Sequence, residues 1–440
     1  MRRLDTAEPS SVQTNLLGLD IEYDMGWARL NAITSVQNVS LRAVADISAT
    51  YVPALNQFGL PAETAWADSG GEQHRVSQEF RLTSRASHEI EWLAGLYINH
   101  ERSSVAGGYR FSTASGPSDL DLYTVNKPAT YRDLAGYGDV TWHATTDLAL
   151  TGGVRVGHMA QTYTNTSSGL LAGGTLTNGG SSKETATTWL ATAGYKLDSQ
   201  SSVYARVASG YRPGGPNGLL PNTSPAIKPS FTSDSLWSYE AGYKAALLDR
   251  TLVVETAVYD IEWNNILQPI YDNGFGFFTN AGKARITGTE LSLSWLPSAA
   301  WHVDGALSLI DAKLRTDASG LGGHAGDAIP STARFSGSLS VARNFELDGH
   351  AAYLGANVRH VGERNAGFAG STTLPAYSMP SYNVFGLQAG VDLERYKLSF
   401  YVRNLTNTRG MDGVVFSTLT AAKAVMAEPR TIGVSASASF

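Results

Sequence analysis

Three groups of residues carry chemistry that could hold a ligand. His324 sits in the glycine-rich stretch Gly320–Gly326, just before Asp327, and an imidazole beside a carboxylate is a donor pair for a metal complex. Phe275, Phe277 and Phe278, in the segment NGFGFF, offer aromatic faces on which a flat or apolar ligand would stack. Tyr211 and Arg212 open the run YRPGG, and a guanidinium presents a rigid fork of donors to a carboxylate. Each has a plainer reading: a solvated loop for His324, packing against neighbouring loops for the phenylalanines, and pairing with a loop or lumen carboxylate for Arg212. No constellation reads as a catalytic centre, so no enzyme activity is expected. The nine histidines are scattered and there is no cysteine, which excludes disulfides and thiolate metal sites. YRPGG and the Asn178–Gly180 run lack the strand-to-helix context and the Lys-Ser/Thr of a phosphate loop. A net charge of −6 leaves no basic footprint for nucleic acid. No resident cofactor or metal is expected.

These residues must be positioned by strands. In Ser235–Trp263, Trp237, Tyr239, Ala241, Tyr243, Ala245 and Leu247 alternate with Ser238, Glu240, Gly242 and Lys244. Side chains on a strand point to opposite faces in turn, so one face is apolar and aromatic and the other polar. A tight turn follows, then a second strand of similar length. Both exceed the ~5–6 residues of a common soluble strand and match the ~9–11 of a tilted strand crossing a bilayer. The hairpin recurs, with turns near Tyr23–Gly26, Arg85–Glu89, Ala144–Asp147, Leu197–Gln200, Leu247–Arg250, Pro297–Ala300, Glu346–Gly349 and Glu394–Tyr396. Long connections rich in Gly, Ser, Thr, Asn and Pro separate the hairpins, among them Val44–His74, Arg102–Thr130 and Thr162–Glu184. About 17 strands are predicted by this alternation. Short turns on one side and long loops on the other mark an all-β fold, a transmembrane antiparallel β-barrel. A kelch-type β-propeller has a similar period but needs four short strands per repeat. Composition fits such a barrel and a soluble, aromatic-rich all-β protein equally: 16% charged residues, against ~25% in soluble proteins, with 45 glycines, 20 tyrosines and 9 tryptophans. Glu240, Glu290, Arg155 and Arg206 then face the lumen. Glu255 resists, falling on the lipid face of its strand, and calls for a bulge or a shifted register.

The segment Asn280–Trp295 (NAGKARITGTELSLSW) resembles the strand that follows a long extracellular loop in TonB-dependent outer-membrane receptors. Ala208–Asn217 (ASGYRPGGPN), SLWSYEAGY, QEFRL, VRNLT, EPRTIG and the terminal Phe440 also fit that family. The resemblance implies a barrel of about 22 strands around an N-terminal plug, set in the outer membrane of a Gram-negative bacterium. It implies uptake of a scarce ligand, often an iron–siderophore or similar metal chelate, by energy relayed from TonB through the plug. It also implies surrounding outer-membrane lipid and lipopolysaccharide, a second plain role for the NGFGFF phenylalanines. The chain departs from the pattern. No plug or TonB-contacting segment is found before the first strand, and MRRLDTAEPSSVQ has no apolar core of a signal peptide. The first and last strands run the same way, which cannot close an antiparallel ring. Residues 1–440 are therefore expected to be one partial barrel domain, incomplete at the N-terminus. The alternatives are a passive porin-like channel and a secreted β-propeller binding protein.

Overall fold

The computed structural model describes residues 7–85, 89–219, 223–272, 275–280, 282–371, 376–417 and 420–438. Its frame is a single antiparallel sheet of 17 long strands, the number that the alternation predicts. The first eight are β1 (Ser10–Asp24), β2 (Ala28–Asp46), β3 (Thr64–Ser84), β4 (Ile90–Thr113), β5 (Tyr123–His143), β6 (Leu148–Ser168), β7 (Leu176–Lys196) and β8 (Ser201–Arg212). The next five are β9 (Asp234–Leu247), β10 (Leu252–Asn264), β11 (Lys283–Ser298), β12 (Trp301–Leu314) and β13 (Phe335–Leu347). The last four are β14 (His350–Val361), β15 (Tyr382–Leu393), β16 (Tyr396–Arg403) and β17 (Thr431–Ala438). Each pairs antiparallel with its neighbours in the chain, an up-and-down meander. Among the described residues no ladder joins β1 to β17, and the two run in the same direction.

Large apolar side chains are exposed on one face of this sheet. Leu96 (43%), Leu134 (52%), Trp189 (53%) and Leu309 (54%) all stand on the outer wall, with Ile98, Val156, Leu307 and Phe385 beside them. A water-soluble sheet would bury such a belt, whereas lipid covers it. Burial alternates residue by residue along β7, outward side chains exposed and inward ones partly covered. Trp237, Tyr239 and Tyr243 lie on the outer wall and Glu240 and Lys244 on the lumen side. The register overturns the expectation for Glu255. Lys244 lies directly opposite it, with Nζ 3.3 Å from Oε2, so Glu255 faces the lumen on an unbulged strand. The cause is the connection from Leu247 to Leu252, in which Leu248, Asp249 and Arg250 all take positive φ. A turn's length sets strand register, and a slip of one residue exchanges the two faces.

The other end of the sheet differs from the sequence expectation. Strands β3 to β7 hold 21, 24, 21, 21 and 21 residues, so most of 64–74, 102–113, 123–130 and 162–168 is strand rather than loop. Above the apolar belt the alternating residues are small and polar, as in Ser103, Ser104, Gly107 and Gly108, so the ladder continues without a hydrophobic signal. The β2–β3 connection also contains a helix, α1 (Ser48–Gln57). Asp46 accepts a hydrogen bond from the Ser48 backbone N–H at 2.9 Å, and the helix buries Tyr51 and Leu55 against Phe111 and Leu122.

At the short-turn end, Arg85 Nη2 donates to both oxygens of Asp24 at 2.8 Å, tying the β1–β2 turn to the start of the β3–β4 turn. That bond first, and the Gly26 N–H second, hold the Asp24 carboxyl below its ordinary value of 3.8. A carboxyl whose pKa falls on folding contributes stability above its unfolded value and loses it as pH drops through the folded one. The tie should therefore be complete above pH 3.8 and released only as pH falls through the lower, folded-state value. Arg85→Gln should return Asp24 toward 3.8 in a carbon NMR titration of the carboxyl, and an unshifted titration would refute the tie.

Candidate functional site

The lumen wall is built from a repeated pair. Five inward tyrosines each lie across the glycine directly opposite on the next strand: Tyr137 on Gly95, Tyr204 on Gly242, Tyr259 on Gly288, Tyr353 on Gly390 and Tyr401 on Gly433. A Cβ on Gly95 would stand 2.1 Å from Tyr137 Cζ, so only glycine lets the ring lie down there. The flattened rings keep the lumen clear and carry their hydroxyls to neighbouring acids. Tyr137 Oη donates to Glu79, and Tyr204 Oη donates to Glu240 Oε1 at 2.7 Å.

One side of the lumen concentrates these groups around Arg155. Its guanidinium lies 5.4 Å from the Tyr97 ring centroid and 5.9 Å from that of Tyr137, a cation between two π faces. It donates to Asp133 Oδ2 at 3.3 Å. Arg81 pairs with Glu79 at 2.9 Å, and Arg75 donates to Tyr97 Oη at 2.8 Å and Asn99 Oδ1 at 2.9 Å. Tyr211 joins this group because two strands part. The β7–β8 ladder ends at Leu190 and Ala208, while β8–β9 continues to Arg212 and Asp234. The freed end turns Tyr211 inward, its hydroxyl 3.2 Å from Met159 Sδ. On the other side, a cleft of about 750 Å³ is lined by Glu240, Lys244, Glu255, Glu290 and Arg359. Phenol hydroxyls, π faces and guanidinium groups around a polar lumen can hold an anionic, aromatic solute.

Above the lumen, Arg212 Nη2 donates to Asp234 Oδ2 at 2.5 Å, and Trp263 Nε1 donates to the same oxygen at 3.1 Å. The Asp234 side chain is 4% exposed, so the plain reading of Arg212, a carboxylate partner, is the arrangement in place. Phe277 and Phe278 lie on the second strand of a small hairpin, 267–272 with 275–280. Phe277 is buried. Phe278 is exposed, its ring centroid 5.3 Å from that of Phe231, and Asn217 brackets its backbone with bonds of 2.7 and 2.9 Å. Phe275 opens the same strand, and its side chain lies outside the described residues, as does Phe440. The His324 side chain is 74% exposed, with Nδ1 3.8 Å from Asp317 Oδ1, and Asp327 accepts the His324 backbone N–H at 2.8 Å. Among the described residues no three metal-ligating side chains gather. The structure thus joins Arg212, Phe277 and Phe278 in one loop assembly, turns Tyr211 into the lumen, and leaves His324 exposed on the β12–β13 loop, whose Gly320 packs against Ile270 and Thr279 of the same hairpin. The sequence reading passed over Tyr97, Tyr137 and Asp133. Tyrosines at inward positions of strands rich in inward glycines were the available signal.

Gly95→Ala should push Tyr137 off the wall and destabilise the barrel by about 1–3 kcal/mol. Adding Tyr137→Ala should recover part of that loss in urea unfolding from lipid vesicles, whereas additive losses would disprove the pairing.

The family model for "TonB dependent receptor-like, beta-barrel" matches residues 3–405. The pesticin receptor of Yersinia enterocolitica is 29% identical over 269 residues, 60% of this chain and 37% of that protein. The catecholate siderophore receptor Fiu of Escherichia coli is 23% identical over 406 residues, 88% of this chain and 50% of that protein. Among solved structures, the ferric yersiniabactin uptake receptor FyuA from Yersinia pestis superposes with a TM-score of 0.81 at 22% identity, covering 99% of this chain and 63% of that one. The chain thus spans between about a third and a half of the length of these two curated relatives. With its strand meander, lipid-facing belt and polar lumen matched by that model along most of its length, the chain belongs to the TonB-dependent receptors, in their β-barrel part.

Proposed function

We propose that this outer-membrane barrel serves energy-coupled uptake of a metal chelate, in the first place an iron–siderophore complex, and that it acts as a receptor without catalysis. The observation that carries the reading is Arg155 held between Tyr97 and Tyr137 beneath the inward-turned Tyr211. Ferric chelates with phenolate or carboxylate donors are anionic and flat in part, and a guanidinium flanked by rings supplies both matching interactions. The names of similar proteins support it: a catecholate siderophore receptor, a metal-pseudopaline receptor and a ferric yersiniabactin uptake receptor.

On this reading residues 1–440 form one barrel domain, and TonB acts through a plug seated in the lumen beneath the chelate. Tyr211 meets the ligand at the lumen mouth. Arg212 reaches it by exchanging Asp234 for a ligand anion. Phe278, with Phe275 and Phe277 on the same hairpin strand, offers an apolar contact, and His324 stands at the rim. Outer-membrane lipid and lipopolysaccharide surround the wall.

Radio-iron uptake from a panel of ferric siderophores by iron-starved cells tests this. Uptake should require TonB, and Tyr211→Ala with Arg155→Gln should weaken binding of the transported chelate about tenfold or more. Passage of small solutes that persists without TonB and ignores both substitutions would replace the receptor reading with a passive pore.

A further inference from the structure

We propose that the outer wall of β3–β7 carries a binding site for the phosphorylated headgroup of an outer-leaflet glycolipid, built from Arg102, Arg132 and Lys183 with His74, His100 and His158. The site rests on the outer-membrane setting of the barrel and not on the identity of its cargo.

The register places these residues side by side. His74 is directly opposite Arg102, and His100 is directly opposite Arg132. Ala160 lies between Arg132 and Lys183, and His158 neighbours both on β6. All six share the parity of the lipid-facing Val76, Ile98, Leu134, Val156 and Trp189, so they stand on the outside of the barrel. Five of the six are exposed, and His100 is partly so.

Height decides what they meet. Each lies ten to thirteen residues from the short-turn end of its strand, at Ser84, Ile90, His143, Leu148 and Lys196. At ~3.3 Å per residue and a tilt of ~40°, ten residues climb about 25 Å, the height of an apolar barrel belt. The patch therefore begins where hydrocarbon ends and lipid headgroups start. An unpaired cation deeper in the belt would be costly, and at this level it meets anions.

Its charge is open. Among the described residues no carboxylate lies within ion-pair distance of Arg132 or Lys183, and the recorded partner of Arg102 is His100, at 3.2 Å. Two acids share the wall above His74: Glu72, and Asp68, which is paired with Arg110 at 3.2 Å. The outward cations on β11 and β12 differ. Arg285 is held by Asp260 at 2.6 Å and Lys313 by Asp311 at 2.9 Å. Guanidinium forks match phosphate oxygens in pairs and the Lys183 ammonium adds donors, while His74 and His158 beside them are fixed by Asn38 and Thr185. A phosphate-bearing amphiphile anchored by its acyl chains along the belt below fits both the height and the charge.

The test is titration of the purified protein in detergent with bis-phosphorylated lipid A, followed by native mass spectrometry. Combined Arg102→Gln, Arg132→Gln and Lys183→Gln should weaken binding about 100-fold, each alone about fivefold, while Arg285→Gln changes nothing. Lipid A stripped of phosphate should bind no better than the triple variant. Retention of the heat-modifiable gel shift shows that a variant is folded, and the single variants carry the test if the triple one is not. Equal binding of phosphorylated and stripped lipid A, or an unaffected triple variant, would overturn the proposal. So would displacement of the lipid by millimolar inorganic phosphate, which would mark a free-anion site instead.

Discussion

Every backbone N–H and C=O within the lipid belt must find a partner in the protein, because hydrocarbon offers none. The meander answers this one strand at a time. Every neighbouring pair from β1–β2 to β16–β17 forms a ladder. The register shifts near Trp295 and Ser298 at the turn end of β11, and the β7–β8 ladder ends at Leu190 and Ala208, where Ser209 Oγ accepts the Trp189 N–H at 2.8 Å. Once the backbone is satisfied in this way, side chains are free to be sorted by solvent alone. Lipid receives Leu, Val, Phe and Trp, and the lumen receives Tyr, Arg and Glu. Both the exposed apolar belt and the polar lumen follow from that sorting.

The tyrosine–glycine pairs are the second-order consequence. A closed or curved wall crowds its concave face, and a ring standing upright there would fill the lumen. Laying each ring over a glycine relieves the crowding and holds adjacent strands in register at the same time. Arg155, Glu79 and Glu240 then take positions set by the hydroxyls and faces of Tyr97, Tyr137 and Tyr204. The candidate site is thus a by-product of how the wall is packed, supplemented by one exception, the parting of β7 and β8 that turns Tyr211 inward.

Strand number, hairpin order and the inward direction of Arg155, Arg206, Glu240 and Glu290 were legible in the sequence, since lipid imposes a period-two apolar pattern wherever it touches the chain. Outside lipid that pattern vanishes. The upper halves of β3 to β7 are written in Ser, Thr and Gly and read as loop, though their ladders are as regular as those below. α1 was hidden for the same reason: its apolar face covers only the small cluster around Phe111 and Leu122. Glu255 was misplaced because a turn of left-handed non-glycine residues has no strong sequence signal. Partners such as Asp234 for Arg212 come from different connections, and single-chain patterning does not relate them.

The strands are unequal around the ring. β3 to β7 run to 21 residues or more, while β13 to β17 have 13, 12, 12, 8 and 8. The mouth is accordingly bevelled, a tall parapet on one flank and a low sill on the other.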